Sequence, residues 1–326
     1  MAPLAWVAQY TPGGAAIRRP PDVIHVGSAS RDTTSDDPRG WRLGGGVTYG
    51  ALVTARLGLA TAAIIGVDEP AARSHELDTL RSAGVHVLPV ALDESPVFRN
   101  VETPEGRRQT ALAVGRPLVG VEVPAHWRKP RAWSFVPVAG EIGDAWLGVV
   151  DDDALVVLGW QGLLRRLSPG AVVERRPPAD GAIVRRADLV GVSRQDVEPG
   201  TSLPELVAHL HPGARLIVTE GASGGVVAEV GGSGRWVARR YQPTRAEREV
   251  DPTGAGDAFL AAMIAATLRP SVLGALRRRV GADLRFAAAA GSLTVEGAGL
   301  DGVPDLARVR ERALRDRVRR LLEPRA

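Results

Sequence analysis

Residues 249–268 read "EVDPTGAGDAFLAAMIAATL". Gly254, Ala255 and Gly256 form a turn with almost no side chain to obstruct an approaching ligand. The run after them is rich in Ala, Leu and Met, holds no breaker, and predicts a buried helix. The turn therefore lies at a helix N-terminus, where unpaired N–H groups and the helix dipole favour an anion such as phosphate. Asp257 is the odd member, because a carboxylate beside an anion site repels the anion unless it serves another purpose.

Outward from this stretch, the chain alternates strands and helices. "DVIHVGS" (22–28), "ATAAIIGVD" (60–68) and "VHVLPV" (85–90) read as strands. Between them stand the Gly-rich turn and helix "LGGGVTYGALVTARLG" (43–58) and the helix "EPAARSHELDTLRSAG" (69–84). Further strands are expected in "AWSFVPVAG" (132–140), "DALVVLGWQG" (153–162), "ADLVGVS" (187–193) and "ARLIVTEGASGG" (214–225). This rhythm predicts an α/β fold, a central mostly parallel sheet with helices on both faces. It breaks at "SPVFRNVETPEGRRQTALAVGRP" (95–117), which reads as strands near 97–102 and 108–114 around the turn Pro104-Glu105-Gly106. A polar hairpin inserted in this way is often a flap over a ligand site. "GGVVAEV" (224–230) and "RWVARRYQP" (235–243) predict a hairpin, and helices are expected around 272–280 and 284–295.

The 326 residues, 44% of them hydrophobic, suffice for a sizeable core in one large domain. The absence of cysteine excludes disulfides, thiolate metal sites and cysteine nucleophiles. The six histidines are scattered, with no spacing suited to zinc. The net charge of +4 is carried almost wholly by arginine with acidic residues interspersed, so no nucleic-acid partner is expected. No uncharged run reaches the ~18 residues a spanning helix needs, and no signal-peptide order opens the chain, so a cytoplasmic protein without a membrane partner is expected. The tail "LARVRERALRDRVRRLLEPRA" (306–326) predicts an amphipathic helix with Leu306, Val309, Leu314, Val318 and Leu321 towards the body. A dinucleotide fingerprint in "GGGVTYG" is disfavoured, since no strand is expected directly before it.

"DPTGAGDAFLAAMI" resembles the C-terminal signature of the PfkB/ribokinase family of carbohydrate and nucleoside kinases. The Gly-rich segment at 43–58 with its following strand, "LIVTEGASGGVV" and "LRFAAAAGSLTVEGAG" are similar to other parts of that family in order and spacing. The resemblance covers roughly 22–304. It implies a ribokinase-like domain there with a β lid at approximately 28–44 and 96–116, an N-terminal extension at 1–21, and the Arg-rich helix of 305–326 packed on the domain.

For catalysis the resemblance implies Asp257 as general base and the amides of Gly254, Ala255 and Gly256 as an anion hole, roles the chemistry of phosphoryl transfer requires. It implies Thr219, Gly221 and Gly224 as a cradle for nucleotide phosphates, with Ala288 leaving room for an adenine ring. Asp251 and the Thr253 carbonyl match positions that help hold a monovalent cation such as K⁺, closed by the loop 297–299. Asp32 is expected against substrate hydroxyls, with Asp36 and Asp37 as competitors. Gly44 and Gly45 would let substrate approach the backbone, and the flap residues Phe98, Asn100 and Arg108 would cover it. Two departures stand out. Tyr49 replaces the family's frequent Asn, and Ser193-Arg194-Gln195-Asp196 replaces the Asn-x-x-Glu that supports the Mg²⁺ water network, leaving Asp196 as the acidic member.

The expected activity is ATP- and Mg²⁺-dependent phosphorylation of a hydroxyl on a small sugar or cyclitol. A nucleoside kinase and a catalytically weak ligand-binding or regulatory relative are the alternatives. A homodimer through the β lid is compatible with its open strand edges.

Overall fold

The computed structural model describes residues 19–103 and 106–322. Most of the expected N-terminal extension and the turn residues Pro104 and Glu105 lie outside them.

β1 (Val23–Ser28) starts the central sheet, and β2 (Ser30–Thr33) and β3 (Trp41–Gly44) leave it for the lid. α1 (Gly46–Arg56), β4 (Thr61–Val67), α2 (Glu69–Ala72), α3 (His75–Ser82) and β5 (His86–Ala91) return to the main layer. β6 (Val97–Thr103) and β7 (Gly106–Ala113) are the inserted hairpin. Then follow β8 (Ala132–Phe135), β9 (Leu155–Gly159), β10 (Arg165–Arg166), β11 (Ala171–Val172) and β12 (Glu174–Arg175). α4 (Ala182–Arg186), β13 (Leu189–Ser193), α5 (Leu203–Val207), β14 (Arg215–Thr219), β15 (Gly225–Val230) and β16 (Trp236–Tyr241) complete the sheet. α6 (Ala255–Leu268), α7 (Ala282–Thr294) and α8 (Leu306–Leu322) end the fold.

The nine-stranded sheet runs β16-β15-β14-β13-β9-β8-β1-β4-β5 and is parallel from β14 to β5, while β15 pairs antiparallel with both β14 and β16 at one edge. Side-chain alternation divides its strands between two cores. Val23, Ala63, Ile65 and Val67 join the layer of α1, α6 and α7. Ile24, Val26, Ala62 and Ile64 join the opposite layer, with Trp133, Phe135 and Trp160. α6 is buried around nearly its whole circumference between α1 and α7, which is why its sequence is apolar without an amphipathic stripe.

The lid is a second sheet, β11-β7-β6-β2-β3. The hairpin strands fall where the sequence predicts them, but β11, which extends the lid, carries no signal in the sequence. The structure corrects three further expectations. β3 leads directly into the Gly-rich turn before α1, although it belongs to the lid and not to a dinucleotide-binding sheet. The helix expected at 272–280 is a 3₁₀ stretch, Pro270–Leu276, broken by the positive φ of Gly274. On α8, Leu314 is exposed, whereas Val309, Arg312 and Ala313 turn inward; Val318 and Leu321 lie beyond the described side chains. Among the described residues no single helix is long and apolar enough to cross a membrane.

Candidate active site

β1 runs to the centre of the sheet; the chain then builds outward through β4 and β5 before crossing back to β8 and β9. Such a reversal opens a crevice at the carboxyl ends of the strands. There a cleft of about 1660 Å³ is lined by Ser30 after β1, Gly159 at the end of β9, Ser193 at the end of β13 and Thr219 at the end of β14. Glu141 holds the reversal together. Its buried carboxylate accepts the amides of Ser28 (2.8 Å) and Ala139 (2.8 Å), and that of Val138 at 3.1 Å. Burial pushes its carboxyl up in pKa, and the amide donors oppose that shift.

Asp257 stands in the first turn of α6 at the floor of this cleft. Gly254 caps that helix in the left-handed region (φ 80°), a conformation open to glycine. A side chain there would also overlap the Tyr49 ring. Among the described residues no group donates a hydrogen bond to the Asp257 carboxylate. Desolvation, reinforced by Asp196 and Asp32 and opposed by Arg165, pushes its pKa up to about 7. Gly46, the first residue of α1, approaches so closely that a Cβ would meet Asp257 Oδ1 at 2.6 Å.

On the lid side, Asp32 lines the cleft beside Asn100 and Arg108, with Ser30 Oγ donating to Asp32 Oδ1 at 3.1 Å. Its two competitors are placed elsewhere: Asp36 is exposed on a smaller side pocket, and Asp37 is paired with Arg39 at 2.9 Å. Gly45 lines the cleft, but Gly44 does not; a Cβ on Gly44 would collide with the Asp32 carboxylate. Phe98 is buried against Ala111 and Val138. Asn100 accepts from Gln109 Nε2 at 2.8 Å, and Arg108 is exposed at the rim. Tyr49 is buried beneath the turn and lines both the cleft and the smaller side pocket, and burial together with Asp251, Asp32 and Asp257 drives its hydroxyl pKa well up.

On the other side, Thr219, Gly221 and Gly224 border the cleft, where a Cβ on Gly221 would meet nothing within 4 Å. Ala288, Gly291 and Ser292 of α7 face the same space. Asp251 ties two loops directly: its carboxylate accepts Thr253 N at 2.9 Å and Gly299 N at 3.1 Å. The turn around Asp196 departs most from expectation. Asp196 is paired with Arg165 at 2.8 Å and accepts Gln161 Nε2 on both oxygens, at 3.1 and 3.0 Å. Ser193 Oγ is taken up by the amide of Gln195. Asp196, expected to reach Mg²⁺ through water, thus has both oxygens engaged by protein partners, and no group of three or more acidic or histidine side chains among the described residues is placed to hold a metal ion directly. Gln161 and Arg165 were hidden in a segment whose apolar run signalled only a strand.

Sheet order, lid and cleft define an α/β protein whose cleft opens at the N-terminus of α6. Residues 178–305 match the family model described as pfkB family carbohydrate kinase. A pyrophosphate-dependent kinase in the ribokinase family, solved with a pyrophosphate analog and myo-inositol, superposes with a TM-score of 0.64 at 20% identity, covering 89% of this chain and 99% of that one. Arabidopsis thaliana ribokinase with ribose and ATP gives 0.61 at 18%, covering 90% and 99%. A Methanocaldococcus jannaschii nucleoside kinase gives 0.63 at 16%, covering 90% and 98%. No curated protein sequence matches significantly. The chain thus has a ribokinase-like fold, and its residues 178–305 are similar to the pfkB carbohydrate-kinase model.

Proposed function

We propose that this protein transfers the terminal phosphoryl group of ATP to a hydroxyl of a small sugar or cyclitol, held between the lid and Asp257. The observation that carries this reading is a carboxylate without a hydrogen-bond donor, at a helix N-terminus, on the floor of a cleft. In the reaction the acceptor oxygen attacks the γ-phosphorus, and the bond from that phosphorus to the bridging oxygen breaks. The acceptor proton passes to an Asp257 oxygen, and ADP leaves with the electron pair of the broken bond. The amides of Gly254, Ala255 and Gly256 receive the charge on the transferring group. Thr219, Gly221 and Gly224 take the remaining phosphates, and Ala288 borders the base. Asp32, Gly45, Asn100 and Arg108 hold the acceptor.

Mg²⁺ enters as the nucleotide's own counter-ion, where it neutralises phosphate oxygens. Arg165 contributes a fixed cation at the end of β9, oriented by Asp196, and it acts on the same phosphates. A monovalent cation such as K⁺ would bind at the Thr253 carbonyl and the loop 297–299, with Asp251 fixing both. A homodimer through the lid edges completes the reading.

The acceptor class is supported by the kinase whose structure contains myo-inositol and by the ribokinase containing ribose. The nucleoside kinases of similar fold supply the rival acceptor. Turnover of a panel of sugars, cyclitols and nucleosides with Mg²⁺-ATP separates them. Asp257→Asn is expected to lower kcat by roughly 10²–10⁴ on the true acceptor. Full turnover by that variant would remove the assigned base.

A further inference from the structure

The C-terminal helix carries a buried arginine that the proposed chemistry leaves unused. Arg312 is 4% exposed, on the inward face of α8. Its Nη1 and Nη2 form a fork on the Glu296 carboxylate, at 2.7 and 3.1 Å. Nη1 also donates to Ser292 Oγ at 3.0 Å and to the Arg245 carbonyl at 3.3 Å. Glu296 passes the contact on: its Oε1 accepts the amide of Glu247 at 2.7 Å, and its main-chain carbonyl accepts Arg248 Nε at 3.3 Å. Arg315, one turn along α8, reaches the Glu247 carboxylate at 2.7 Å.

The segment held in this way is a wall of the cleft. Arg245, Glu247 and Arg248 line it, facing the space bordered by Gly291, Ser292 and the β14 turn. Neither Arg312 nor Glu296 lines the cleft. Arg312 Nη2 also lies 3.6 Å from the Glu247 carboxylate, and a buried guanidinium held on Glu296 by two bonds fixes orientation as well as charge. Truncating one partner leaves the other as an uncompensated buried charge. The backbone of 245–248 has no regular secondary structure of its own, so these bonds decide where that wall stands.

We propose that Arg312 is a positioning residue for the phosphoryl donor: through Glu296 it sets the wall 245–248 against the nucleoside part of the donor, so that the C-terminal helix belongs to the nucleotide site. This rests on the donor side assigned above. It adds that the nucleoside, and not the phosphates, depends on α8, because the phosphate-side turn of α6 and the β14 turn are built without it.

Two variants test this. Arg312→Ala removes the fork. The double variant Arg312→Met with Glu296→Gln removes both charges, and it keeps the protein folded if the lone Glu296 destabilises the first. Kinetics with the wild-type acceptor should show the KM for ATP raised by about tenfold or more, kcat within about threefold and the acceptor KM unchanged. Calorimetry separates the two ends of the donor. A non-hydrolysable ATP analogue should bind more weakly by the same factor, while inorganic tripolyphosphate, which has no nucleoside, should bind as in the wild type. A folded variant with unchanged analogue affinity would overturn the role of Arg312 alone, as would equal weakening of analogue and tripolyphosphate. A wild-type protein that binds no ATP analogue would overturn the kinase reading together with this one.

Discussion

Asp257 sits where burial and two neighbouring carboxylates disfavour its charge, and its pKa of about 7 has a consequence for rate. A general base works only when deprotonated, so kcat/KM should rise with pH and level off above about 7. A pH–rate profile checks this, and a flat profile from pH 5 to 8 on the order of a few-fold would contradict it. Arg165 opposes that shift and pairs with Asp196. Arg165→Ala is expected to lower kcat by roughly 10²–10³, the loss typical of a missing donor to a transition-state anion. Unchanged single-turnover kinetics would remove it from the phosphate site. At Gly254, positive φ and the Tyr49 ring both exclude a side chain. Gly254→Ala should lower stability by about 1–3 kcal/mol and displace the anion hole, seen as a reduced Tm together with lost turnover. The motif was legible at this scale because its geometry is local: backbone turn, helix start and carboxylate lie within a few residues. Arg165 was not legible, since its partner Asp196 is thirty-one positions away in sequence.

Elements set the distance between the two halves of the site. Glu141 ties the end of β1 to the exit from β8, and the lid springs from the same strand end. Glu141→Gln places an amide NH₂ against backbone N–H donors and is expected to cost about 2 kcal/mol. A chemical-denaturation midpoint at the wild-type value would refute that role. The lid is anchored by Arg31 on Asp68 at 2.8 Å and by Arg39 on Glu76 at 2.7 Å, with the Arg39 guanidinium 4.5 Å from the Trp41 ring centroid. These contacts hold β2 and β3 against the body, so Asp32 comes to the cleft while Asp37 is consumed by Arg39. The alternating strands and helices were readable from hydrophobic period alone. The short edge strand β11 was not, because it is too short to show a period, and the helix expected at 272–280 became a 3₁₀ stretch because Gly274 breaks it.

For the whole molecule, the desolvated Asp257 makes stability depend on pH. Its folded pKa lies above the unfolded value of 3.8, so the native state holds an extra proton between about pH 4 and 7. Its contribution to stability is therefore intact below that window and lost as pH rises through about 7. Asp257→Asn should flatten the fall in Tm across this interval, whereas a wild-type Tm that rises there while the variant's does not would reverse the sign. Ligands that fill the cleft stabilise by mass action, about 2.7 kcal/mol at a hundredfold excess over Kd. A thermal-shift screen with the ATP analogue and polyols should thus report the acceptor as the compound that raises Tm further in the presence of the donor.

By itself the sequence determined the parallel sheet, the lid hairpin and the glycine turn at the helix start before Asp257, because each is written in residues adjacent along the chain as a period of two, a period of 3.6 or a run of glycines. Only the tertiary structure decided which of three aspartates after β1 faces the cleft, that Asp196 is held by Arg165, and that Arg312 is joined through Glu296 to the segment 245–248. Those outcomes depend on pairing between residues far apart in sequence, where burial and charge compensation choose the partner and no local pattern records the choice.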